Sequence, residues 1–112
     1  MFIDDEWSED AERISRVMAR RTEVKALMIS LHQAMTHVSH DNATILRAVA
    51  MLDPVEGAYQ VAALMAEAEV NQALILLLGR KYYSAEKELG TLDEFAEELG
   101  HMDEDEAEEG LS

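Results

Sequence analysis

The sequence predicts an all-α fold, a compact bundle of four to five helices, and three observations carry that expectation. Apolar residues recur at three- and four-residue steps along nearly the whole chain, and no segment alternates as a strand would. The 48% of apolar residues are drawn largely from helix-favouring Ala, Leu and Met, with only 5% aromatic. One Pro and five Gly leave few places to interrupt 112 residues. That length is one domain's worth, assigned to 1–100, with 101–112 as a tail.

The elements follow in order. Ser8 fits an N-cap, with Glu9, Asp10 and Glu12 favourably placed at the positive end of the helix dipole. Ile14, Val17, Val24, Met28, Leu31, Met35 and Val38 then fall on alternating steps, with Arg21 as the one polar interruption. This predicts a long N-terminal helix from about Ser8 to Val38, its surface supported by Glu9–Arg13 and Glu12–Arg16 at i,i+4. Ser39-His40-Asp41-Asn42 reads as a turn, and Ile45, Leu46, Val49 and Leu52 as a short second helix. Asp53-Pro54-Val55-Glu56 is the sharpest local signal: Asp as N-cap, Pro where a missing N–H is harmless, Glu at the third position.

Between Gly57 and Leu78 the only charges are Glu67 and Glu69, and Ala73 to Leu78 is apolar on every side. Such a helix is either central to a bundle or covered by another subunit. Gly79 ends it, with Arg80 and Lys81 on the last carbonyls, or is a close-contact point in a helix reaching Leu89; both alternatives stay open. Gly90 reads as a terminator, and Thr91-Leu92-Asp93-Glu94 as the cap of a short last helix. Leu92, Phe95, Ala96 and Leu99 share one of its faces, opposite Asp93, Glu94, Glu97 and Glu98, and Gly100 closes it. His101 to Ser112, with six acids and no base, reads as a disordered tail.

Charge placement gives the functional expectation. Nine Lys+Arg against 24 Asp+Glu make −15, of which residues 1–92 hold −5 and residues 93–112, with ten acids and no base, hold −10. This argues against direct nucleic-acid binding and against anionic membrane surfaces. No run approaches the roughly 18 apolar residues of a membrane span, and the start Met1-Phe2-Ile3-Asp4-Asp5-Glu6 is acidic where a secretory leader is basic. A cytoplasmic protein is expected. The predicted role is non-enzymatic: an adaptor or inhibitor whose Asp93, Glu94, Glu97, Glu98, Asp103, Glu104, Asp105 and Glu106 occupy a basic surface of a partner protein, such as one that otherwise binds nucleic acid. Tyr82 and Tyr83, beside Arg80 and Lys81, are candidate anchors there, core packing of one of them being the alternative. Arg13, Arg16, Arg20, Arg21 and Lys25 hold five of the nine bases and are expected to pair with acids of the same or a neighbouring chain.

Catalytic and metal chemistry find little footing. His37-x-x-His40 with Asp41 has ligand spacing only if the helix continues past Ser39, and His32 reads as a surface or boundary residue. Glu98-x-x-His101 has di-iron spacing but is interrupted by Gly100 and has no second copy. Asp93-Glu94-x-x-Glu97-Glu98 resembles the acidic helix of magnesium-dependent all-α nucleotide pyrophosphohydrolases, whose second acidic pair would here fall in the tail. Cysteine is absent, as are Gly-x-Ser-x-Gly and any Gly-rich phosphate loop. No catalytic residue, metal or cofactor is therefore expected. In size, helix content and acidic C-terminus the chain resembles small phage-encoded inhibitors, including DNA-mimic anti-restriction proteins; that likeness is compositional and implies a viral-type inhibitor. Two other classes stay in play: a self-associating structural or assembly protein, such as a scaffold or chaperone, and, last, a metal-dependent hydrolase using His37 and His40. A homodimer or higher oligomer is favoured, because so short a chain has little to cover both a long amphipathic helix and an almost wholly apolar one.

Overall fold

The computed structural model describes the backbone of residues 2–111 and the side chains of residues 9–99. It contains two helices, α1 (Phe2–Met51) and α2 (Ala58–Leu111), so the expected bundle of four to five helices is overturned. Helix accounts for 93% of the chain. The expected breaks at Ser39–Asn42, Gly90 and Gly100 do not occur, the helix continues through Gly79 as one of the two alternatives had it, and Ser8 lies inside α1.

The reason is the phase of the apolar pattern. Along α1 the half-buried and buried positions include Ile14, Val17, Arg21, Val24, Met28, Leu31, Met35, Val38, Asn42, Ile45 and Val49, an unbroken 3-4 alternation, with Ala34 and Ala43 beside it. Along α2 they include Val61, Leu64, Ala68, Asn71, Ile75, Leu78, Tyr82, Ala85, Leu89, Leu92, Ala96 and Leu99, again without a slip. This is the 3.5-residue period of a left-handed supercoil. Polar groups that favour caps are absorbed into the helix: the hydroxyls of Thr22, Thr36, Thr44 and Thr91 each donate to the carbonyl four residues back, at 2.9–3.2 Å. Among the described residues no glycine has positive φ, so none makes the left-handed stop that ends many helices.

The connection between α1 and α2 lies where Asp53-Pro54 signals it. Leu52 N donates to Val49 O at 3.2 Å, tightening the end of α1. Asp53 Oδ1 then accepts from the amides of Val55 (2.8 Å) and Glu56 (3.4 Å), an N-cap arrangement. Gly57 N donates to Asp53 O at 2.8 Å, and Val61 N to Gly57 O at 2.8 Å, so helical bonding starts a turn before Ala58.

The chain divides into two packed units: residues 29–83, a helical hairpin around that connection, and residues 1–28 with 84–112, which pair the N-terminal part of α1 with the C-terminal part of α2. In the hairpin Leu31 and Ala68 are buried, and Met35 Cε lies 3.9 Å from where a Cβ on Gly79 would stand. Gly79 is therefore a helix-interior contact rather than a terminator. In the other unit Val24 and Ala85 are buried. The segment expected to be the central helix is not central to anything in its own chain: Val70, Leu76 and Leu77 are 66%, 67% and 50% exposed.

Candidate interaction surfaces

In the unit formed by residues 1–28 and 84–112, the basic stretch of α1 meets the acidic stretch of α2. Arg20 grips Glu88 with two bonds, Nε to Oε1 at 2.6 Å and Nη2 to Oε2 at 3.0 Å, while its Nη1 donates to Glu23 at 3.2 Å. The planar fork matches the carboxylate, which gives the pair its geometry. Hydrogen bonding to Arg20 holds the Glu88 carboxyl below its ordinary value, and the same bonds raise Arg20 further. Arg21 occupies a seam position of α1. Its Nε approaches Asp93 Oδ1 at 2.6 Å with both atoms buried, but the N–H is not aligned for a hydrogen bond, so this contact is Coulombic. Arg16 pairs with Glu12 at 3.6 Å on the open surface of α1.

Beside this ladder runs a largely apolar cavity of about 480 Å³ lined by Arg13, Arg16, Val17, Leu92, Phe95, Glu98 and Leu99. The predicted site residues therefore part company. Asp93 is held by Arg21, Glu98 borders the cavity, and Glu94 and Glu97 face solvent. Asp103, Glu104, Asp105 and Glu106, with the rest of the tail 101–112, have side chains outside the described residues. Tyr82 is half-buried on the α2 seam, whereas Tyr83 is 59% exposed.

The hairpin 29–83 carries the surface that sequence reasoning only half specified. On α2 the seam is flanked on one side by Glu67, Val70, Leu74, Leu77 and Lys81, with Val70 66%, Leu74 38% and Leu77 50% exposed. A shallow cavity of about 340 Å³ lies along it, lined by Ala66, Glu67, Val70 and Asn71. On the other side stand Met65 and Leu76. In a two-stranded coiled coil these flanks carry charges, and apolar residues there mark a helix with more than one apolar contact to make. Asn42, on the α1 seam, keeps its Oδ1 buried and without a hydrogen-bond partner. Ala58–Leu99 also passes, by length and composition, as a membrane-spanning helix: an 18-residue window has mean hydropathy 1.6, and 6% of it is buried.

His37 and His40 are exposed in the interior of α1, and His37 Nε2 lies 3.5 Å from Asp41 Oδ2. Among the described residues no three His, Asp or Glu side chains converge as metal ligands would. The chain matches no protein-family profile, no curated protein and no solved structure, so any reading of function rests on these surfaces alone.

Proposed function

We propose that this chain is a self-assembling structural protein, whose hairpin completes its core against further copies of itself. One observation carries the reading: the α2 strip from Val61 to Leu78 holds only two charges, Glu67 and Glu69, and is apolar on every side from Ala73 to Leu78, yet only Ala68 of it is buried.

Lipid is the less fitting cover. Glu67, Glu69, Asn71 and Gln72 lie in the middle of the apolar strip, and a carboxylate at the bilayer centre costs about 2.5–3.5 kcal/mol on insertion scales. The adaptor reading rests chiefly on the acidic residues beyond Leu99, while Asp93, on the described side, already has Arg21 as its counterion. Sedimentation equilibrium tests self-assembly. A dimer or larger species at micromolar concentration is expected, and a strict monomer at 100 micromolar would overturn the proposal.

A further inference from the structure

Resting on that self-assembly reading, the geometry points to a specific interface: two copies pack α2 against α2 in antiparallel fashion, with the two-fold axis at Leu74. The face is the flank Glu67, Val70, Leu74, Leu77, Lys81 described above. Its arrangement is self-complementary about Leu74, as an isologous contact requires. Glu67 and Lys81 are each seven residues from Leu74, on opposite sides of it and in the same heptad position. Turning one copy through the axis sets Glu67 opposite the other copy's Lys81, twice per dimer. The same operation sets Leu74 against itself and brings Val70, four residues before the axis, beside Leu77, three residues after it, one residue (about 1.5 Å) out of exact register. Apolar residues thus occupy the centre and opposite charges the rim, the layout of a specific interface.

Charge distribution favours this part of the chain. Residues 29–83 hold five acids and three bases, net −2, while the remaining residues hold 19 acids and six bases, net −13. Two copies meeting through the hairpin bring together the least repulsive portion of each. The cavity beside Ala66 and Val70 gives a protruding apolar side chain a place to seat. The opposite flank lacks this symmetry: Leu76 and Tyr83 have no acid and base equally spaced about them in the same heptad positions.

The experiment uses the full-length chain and reads the dimerisation constant by sedimentation, with helix content checked by circular dichroism. Glu67→Lys and Lys81→Glu are each expected to weaken the dimer by about tenfold, and the double reversal to restore it. Both positions are exposed, so these variants should fold. Because the chain has no cysteine, Leu74→Cys should form an inter-copy disulfide under mild oxidation, and Leu76→Cys, on the far side of α2, should not. A wild-type oligomer indifferent to the charge reversals and cross-linked through Leu76→Cys overturns this interface while leaving self-assembly standing. A wild-type monomer overturns both, as does a monomer that inserts into phosphatidylcholine vesicles, which would assign the apolar strip to lipid.

Discussion

At the level of single residues, the three described glycines do different jobs. A Cβ on Gly57 would stand 2.8 Å from the backbone oxygen of Asp53, the carbonyl that receives the first helical bond of the connection. Neither group can move without loosening the cap. Gly90 has nothing within 4 Å of its would-be Cβ, although it sits in mid-helix. Gly90→Ala should therefore stabilise the fold by about 0.5–1 kcal/mol through helix propensity. Gly57→Ala should destabilise it by about 1 kcal/mol or more, strain outweighing the same propensity gain. Urea denaturation at one fixed protein concentration checks both, since assembly makes the midpoint concentration-dependent. Equal and positive shifts would show that the contact at Gly57 is soft.

Helices set the next scale, and the Arg20–Glu88 link is the clearest bond between the α1 and α2 segments of its unit. Glu88 is held below the ordinary carboxylate value by Arg20, so the stabilisation it gives is complete above that value and is lost as pH falls through the depressed one. Thermal melts from pH 7 down to 3 should show a decline setting in below about pH 4.5, where carboxylates ordinarily titrate. In Glu88→Gln the Tm should be lower at neutral pH, and the gap from wild type should close in acid. A gap independent of pH would remove the ion pair as its cause. Much of this scale was legible in the sequence: the helical class, the repeat from Ile14 to Val38 with Arg21 as its polar member, and the Asp53-Pro54 connection. The number of helices was not. Ser39-His40-Asp41-Asn42 and Gly90-Thr91 carry local stop chemistry worth about 1 kcal/mol each, whereas breaking the helix there would throw every later seam residue out of phase. Tertiary phase outweighs local preference, as Val38, Asn42 and Ile45 on one side and Leu89, Leu92 and Ala96 on the other demonstrate. Of the candidate surfaces, the apolar character of residues 58–78, complete on every side only from Ala73 to Leu78, was legible from the scarcity of charge, but the face a partner would use required both seams to be located first.

For the molecule as a whole, the balance is between an under-covered apolar hairpin and a strongly anionic remainder. Removing residues 100–112 takes away six acids and reduces the net charge from −15 to −9. If copies associate through the hairpin, the shortened chain should self-associate more tightly than the full one at 20 mM salt. The difference should shrink by 500 mM salt, where screening lengths fall to about 4 Å. Analytical ultracentrifugation at both salt concentrations measures this, and tighter association of the full-length chain would show that the acidic end makes attractive contacts instead. The seams that run unshifted through α1 and α2 also set a rule for how such a gene can change. Removing one heptad from each arm next to the bend, 43–49 and 61–67 for instance, returns every remaining seam residue to an equivalent neighbour, whereas losing three or four codons from one arm rotates all that follows. Natural length variants of this chain should accordingly differ by multiples of fourteen, seven gained or lost in each arm.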